Sequence, residues 1–95
     1  MQFEWNEEKR REIYDERGIN ILEAALIFEN PVLTKQDNRH DYGEKRLISL
    51  GMVDDEAFIV VHTERDGVTR LITAWKGGKR ERETYRQHIK NHFSG

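Results

Sequence analysis

The chain has no cysteine, so disulfides and thiolate chemistry are excluded, and a reducing compartment suits it. It also lacks a long apolar run: nothing approaches the ~18 residues of a membrane-spanning helix. The N-terminus carries no basic-then-apolar leader pattern. These absences predict a soluble, cytoplasmic protein that does not contact membrane. An excess of one charge is missing too. Sixteen basic and 18 acidic side chains leave a net charge of -2, which argues against indiscriminate nucleic-acid binding.

What is present points to one densely charged domain over residues 1–95. Hydrophobic and charged residues each make up 36% of the chain, so the core is modest and the surface crowded with charge. The charge is unevenly spread. Residues 62–90 hold Arg65, Arg70, Lys76, Lys79, Arg80, Arg82, Arg86 and Lys90 against Glu64, Asp66, Glu81 and Glu83, whereas Asp54, Asp55 and Glu56 cluster earlier. Such a map fits an anionic partner at one place and a basic one at another.

Local signals set the elements. Asn6 reads as an N-cap followed by Glu7 and Glu8, with a helix to about Arg17 that stops at Gly18. That helix is strongly polar, and Ile13 with Tyr14 is its expected buried contact. Asn20 opens a second helix, with Glu23 in a capping-box position, that ends at Asn30-Pro31. Residues 32–34 read as a short strand and 35–43 as a mobile loop. Residues 45–53, 56–65 and 68–76 form an antiparallel meander turned at Asp54-Asp55 and Asp66-Gly67, the latter a strong hairpin signal. Residues 79–92 close the chain as a helix with Tyr85, Ile89 and Phe93 on one stripe.

Two-residue turns would put Arg46, Thr63 and Arg70 in a row across three strands. They would put Phe58, Val60, His62, Glu64, Leu71 and Trp75 on the opposite face. Both faces are apolar away from the Asp66-Gly67 turn, so both need cover. If the helices cover only one, Phe58, Leu71 and Trp75 form an exposed patch for a partner.

The polar end invites phosphate chemistry. Arg46, Arg65, Arg70 and Lys76 can grip a phosphodiester and offset the charge of a five-coordinate phosphorus. Glu64 and His62 are the residue types for the base and acid of RNA cleavage without metal. Lys79, Arg80 and Arg82 can track an RNA backbone. The plain alternative is a set of cross-strand ion pairs at a hairpin tip and a self-paired helix surface. His88 and His92 stand one helical turn apart, but no further ligand completes a metal site, so neither metal nor cofactor is expected.

In these residues the chain resembles the BrnT toxin family, along nearly its whole length. Phe3-Glu4-Trp5-Asn6-Glu7-Glu8-Lys9 is similar to the family's opening motif. Gly18-Ile19, Glu23-Ala24-Ala25, and Phe28 before Pro31 resemble its second-helix segment. Ile48-Ser49-Leu50-Gly51 resembles its Ile-Gly strand. His62-Thr63-Glu64-Arg65 with Arg70-Leu71-Ile72-Thr73-Ala74 resembles its hallmark, and Lys79-Arg80-Glu81-Arg82 with Tyr85 its closing helix. The resemblance implies an α+β, RelE-like fold with two N-terminal helices, about four antiparallel strands and a C-terminal helix. It implies an endoribonuclease toxin that halts translation. It also implies a BrnA-type antitoxin that neutralises the toxin, contacts DNA on its behalf and can join it in a heterotetramer. Glu64, Arg65, Arg70 and Lys76 match the family's polar site motifs.

Three positions depart from the family pattern: Trp75 where an arginine is common, Gly77 at the small residue after the following basic position, and Arg17 in place of a histidine before Gly18. Trp75 and Arg17 sustain a second reading, a catalytically weakened module that binds antitoxin and assembles an operon-repressing complex. A plain RNA-binding domain is the third.

Overall fold

The computed structural model describes residues 1–41 and 43–93, with side chains up to Asn91. The expectations for the side chains of His92 and Phe93 lie outside the described residues. In chain order come β1 (Gln2–Trp5), α1 (Glu7–Arg17), α2 (Ile21–Ala24), a 3-10 turn (Ala25–Glu29), β2 (Leu33–Gln36), β3 (Leu47–Val53), β4 (Glu56–Arg65), β5 (Val68–Lys76) and α3 (Lys79–Phe93).

Capping chemistry explains the helices. The Asn6 side chain accepts from the Lys9 backbone N–H at 2.9 Å, and Gly18, at φ 67°, donates to the Tyr14 carbonyl, a left-handed terminus that glycine adopts without strain. The Asn20 side chain accepts from Leu22 N–H at 3.0 Å. At α3, Glu81 Oε2 accepts from Gly78 N–H at 2.8 Å, the return half of a capping box. Ile13 is buried as expected, but Tyr14 is 56% exposed. A helix this polar reaches the core through a single side chain.

The sheet has five strands in the order β1-β5-β4-β3-β2, not four. It is mixed, because β1 runs parallel to β5 with Phe3 opposite Thr69 and Trp5 opposite Leu71. A four-residue strand whose partner lies some 66 residues away leaves no local sequence signal. β2 starts and ends later than expected. The following loop is anchored at once, since the buried Asp37 donates its N–H to the Arg46 carbonyl at 2.8 Å.

Both meander turns are where the sequence puts them. Asp66 and Gly67 have positive φ, the combination of a type I′ turn. Pairing of β4 with β5 follows the two-residue register from Arg65–Val68 to His62–Leu71, then shifts: Val61 faces Thr73, leaving Ile72 as an extra residue. This bulge moves everything beyond it to the opposite face. Ala74 joins Val60 and Phe58, while Trp75 stands beside Ile59 on the other side.

Each face is covered by different elements. α1, α2 and the 3-10 turn close one face over Ile13, Ile21, Ile27, Phe58, Val60, Leu71 and Ala74. Their approach is close enough that a Cβ on Gly51 would lie 2.6 Å from Ile27 Cβ. α3 packs on the other face near Met52, Ala57 and Tyr85, with Leu33, Leu50 and Ile89 at its margin. The Tyr85 hydroxyl donates to the Pro31 carbonyl at 2.6 Å. The expected exposed patch is therefore absent. Phe58 and Leu71 are core residues, 5% and 3% exposed, whereas Trp75 is half-buried on the opposite face.

Candidate functional site

Polar side chains converge where the β4–β5 hairpin turns. A cleft of about 360 Å³ is lined by Glu4, Glu44, Lys45, Thr63, Glu64, Arg65 and Arg70. It wraps the end of the sheet, so Glu64 from one face and Thr63 from the other reach it together. Thr63 and Arg70 are directly opposite in the ladder. Arg46 lies one residue before β3 and shares with Arg70 an adjoining hollow of about 340 Å³. The expected row of Arg46, Thr63 and Arg70 thus survives, because all three lie on the turn side of the bulge.

Charges are partly paired here. Arg70 approaches Glu4 at 3.4 Å and Arg46 approaches Glu44 at 3.3 Å. Among the described residues Arg65 makes no ion pair. Pairs this exposed stabilise the fold little and break readily for an incoming anion. Two acids beside the arginines keep the cleft from being a bare cationic surface.

His62 is not in the cleft. It is 2% exposed, with the Phe28 ring edge-on at 5.0 Å. Its Nε2 lies 2.7 Å from Ser49 Oγ, and its Nδ1 lies 3.0 Å from Glu64 Oε1. Burial pushes its pKa below the usual histidine value, against the pull of the Glu64 carboxylate. The sequence-based role of acid touching RNA does not suit a ring this enclosed. Glu64 itself is held from behind, because Thr69 Oγ1 donates to its other oxygen at 2.7 Å.

Lys76 is not in the cleft either. It pairs with Phe58 at the opposite end of the ladder. Seven residues along β4 separate that position from Arg65, roughly 23 Å at ~3.3 Å per residue. Lys76 Nζ instead meets Glu56 at 2.8 Å. Lys79, Arg80 and Arg82 begin α3 at the same far end. There a Cβ on Gly77 would lie 2.8 Å from the Glu81 Cβ, so the chain turns into the helix with no room for a side chain. Arg17 guards the free edge of β5, donating to Thr73 Oγ1 at 2.8 Å and to the Ala74 carbonyl at 2.9 Å.

A larger hollow lies elsewhere. A groove of about 660 Å³ runs between β2 and α3 over Leu33, Ile48, Leu50, Ile59 and Trp75, with Lys35, Arg39, Glu81 and His88 along it. Arg39 stacks 5.6 Å from the centre of the Trp75 ring while its guanidinium forks onto Asp37 at 2.8 and 2.9 Å. Its apolar floor suits a polypeptide better than a phosphodiester, so the smaller polar cleft is the better place for chemistry. Among the described residues no three His, Asp or Glu side chains gather as metal ligands. No helix among them is long and apolar enough to cross a membrane.

The family model for "Ribonuclease toxin, BrnT, of type II toxin-antitoxin system" matches residues 5–81. The chain belongs to the BrnT family. Its biology is that of a ribonuclease toxin with an RNA target and an antitoxin partner. No curated protein matches the chain. Several residues that line the polar cleft carried no sequence signal of their own: Lys45, Glu44 and Glu4 come together only through the strand order. Ser49 had a faint one, as the single polar residue inside the apolar stretch of β3.

Proposed function

We propose that the protein is a metal-independent endoribonuclease toxin whose cleft at the β4–β5 turn cuts RNA and thereby stops translation. The observation that carries this reading is the meeting of Glu64, Arg65 and Arg70 in one cleft at the end of the sheet. In this reading Glu64 takes the proton from a ribose 2′-hydroxyl, and the oxygen attacks the adjacent phosphorus. Arg65 and Arg70 offset the added negative charge, with Arg46 beside them for the neighbouring phosphate. Lys45, in the same cleft, supplies the proton to the departing 5′-oxygen. His62 acts from behind Glu64, and Lys76 takes no part.

A BrnA-type antitoxin is the expected neutralising partner, in a cytoplasmic complex with the RelE-like toxin that reaches DNA through the antitoxin, a heterotetramer being the natural assembly. Trp75, on the floor of the large groove, is its proposed anchor, since half-buried aromatics in apolar grooves carry much binding energy. The second reading, a weakened module that mainly binds antitoxin, draws on the burial of His62 and the distance of Lys76.

Expression of the protein alone in a bacterium, followed by growth and total RNA integrity, tests the proposal. Arrest with RNA fragmentation is expected, relieved by the antitoxin. Arg65→Ala or Arg70→Ala should each reduce cleavage by roughly a hundredfold, about 3 kcal/mol of lost transition-state stabilisation, without changing the melting temperature by more than a few degrees. EDTA should leave cleavage intact. Normal growth with soluble protein would favour the binding module.

A further inference from the structure

A file of polar side chains runs behind the cleft, through the covered face of the sheet. Thr34 Oγ1 on the edge strand β2 lies 2.7 Å from Ser49 Oγ, which lies 2.7 Å from His62 Nε2. His62 Nδ1 lies 3.0 Å from Glu64 Oε1. Ser49 is fully buried and His62 almost so, while Thr34 is exposed. A hydroxyl and an imidazole beneath Phe28 are costly to bury unless each is satisfied.

Only one neutral imidazole tautomer fits this file. With the proton on Nε2, the Nδ1 lone pair would face a carboxylate oxygen at 3.0 Å, in a buried site where that repulsion is strong. With the proton on Nδ1, the ring faces Glu64 with a donor and offers Nε2 as an acceptor to Ser49. Ser49 then donates to His62 and accepts from Thr34, so every hydroxyl in the file points toward Glu64. The Nδ1 contact is close but not aligned as a hydrogen bond, so its final geometry depends on how the ring is held.

We propose that Ser49, backed by Thr34, is a positioning residue: it holds the His62 ring at Nε2, the Glu64 carboxylate selects the Nδ1–H tautomer, and the held ring in turn sets the direction of that carboxylate. Thr69 Oγ1 holds the second oxygen of Glu64 by a hydrogen bond, while the first lies against His62 Nδ1. Glu64 also lines the cleft, together with Arg65, Arg70 and Lys45 and with Glu4 and Glu44. A base that is aimed before substrate arrives loses less in reaching the reacting geometry. The inference rests on the assignment of Glu64 to the cleavage step.

Two measurements test it. Long-range 15N–1H NMR of the imidazole at neutral pH should show the proton of His62 on Nδ1, and Ser49→Ala should keep that proton in place while shifting the Nε2 resonance, which has lost its hydrogen bond. Cleavage by Ser49→Ala should fall about tenfold in kcat with KM unchanged, Ser49→Thr should restore it, and Thr34→Val should lose about twofold. The proposal is overturned by an Nε2–H tautomer in the wild-type protein. It is equally overturned if Ser49→Ala keeps both the Nε2 resonance and kcat, or if Ser49→Thr fails to rescue while melting temperatures stay equal. If Ser49→Ala does not fold, Thr34→Val at the exposed edge decides by the same NMR signal. A folded wild-type protein that cuts no RNA would sink the cleavage reading, while the tautomer still decides the positioning file.

Discussion

The two faces of the sheet are built from the same alternating strands yet end in different states. One is sealed by α1, α2 and the 3-10 turn over a contiguous core. The other is covered by α3 over a smaller cluster and keeps an open groove with Trp75 in its floor. The difference is not one of composition, since Phe58 and Ile59 are neighbours of similar hydrophobicity that face opposite ways. A single extra residue, Ile72, decides which large side chain of β5 is sealed and which is left at the groove.

The sharpest way to break this contrast is to truncate one aromatic on each face. Phe58 is 5% exposed in the main core, so Phe58→Ala should cost about 3–5 kcal/mol, a large part of the roughly 5–15 kcal/mol that holds such a domain folded. Trp75→Ala should cost stability only about 1–2 kcal/mol and should instead weaken antitoxin binding by more than about 2 kcal/mol. Urea titration and calorimetry on both variants separate the two effects. A Trp75→Ala protein that unfolds, beside a stable Phe58→Ala protein that has lost antitoxin, would mean the bulge is misplaced.

Much of this architecture was legible in the sequence because its signals are local. Asn6 and Gly18 bound α1, and Asp66-Gly67 closes the hairpin, each through chemistry within a few residues. β1 was not legible, because its partner is distant in sequence. The bulge was not either: Leu71-Ile72-Thr73-Ala74 is regular as a string, and only packing decides that Ala74, the smaller side chain, lies beneath the helices. The site divided the same way. Arg65, Thr63 and Arg70 lie between the turn and the bulge, where two-residue register counting holds. Lys76 lies beyond it and was grouped by charge type and by its match to the family's motif, neither of which carries the register. Ser49 could be tied to His62 only through a diagonal contact across two strands.

A smaller effect distinguishes the sealed face by pH. His62 is held neutral by burial, its pKa lowered in the folded state. An unfolded histidine takes its proton near ~6.5. As pH falls below that value the unfolded chain gains a proton that the folded one refuses, so stability should decline, and the decline should end once pH passes the lowered folded value. Attraction to Glu64 limits its size. Denaturant midpoints at pH 7.5 and 5.5 should differ more for the wild-type protein than for His62→Gln. Equal pH dependence would show that the ring accepts a proton in place, contrary to its enclosure.

The least disturbing change should be at Lys76, and its smallness is informative. Lys76 meets Glu56 at 2.8 Å with both side chains about half exposed, 52% and 51%. Such a pair is worth less than ~1 kcal/mol, because water screens it and two long side chains must be held still. Lys76→Ala should therefore shift the denaturation midpoint only slightly. It should also leave RNA cleavage at the wild-type rate, since its position on β5 is roughly 23 Å along the ladder from Arg65, at ~3.3 Å per residue. Cleavage assays on Lys76→Ala beside Arg65→Ala read the two ends of the sheet against each other. Loss of activity in the lysine variant alone would move the chemistry to the end shared with Glu56, Arg17 and the start of α3, and the polar cleft at the turn would then be a set of ion pairs.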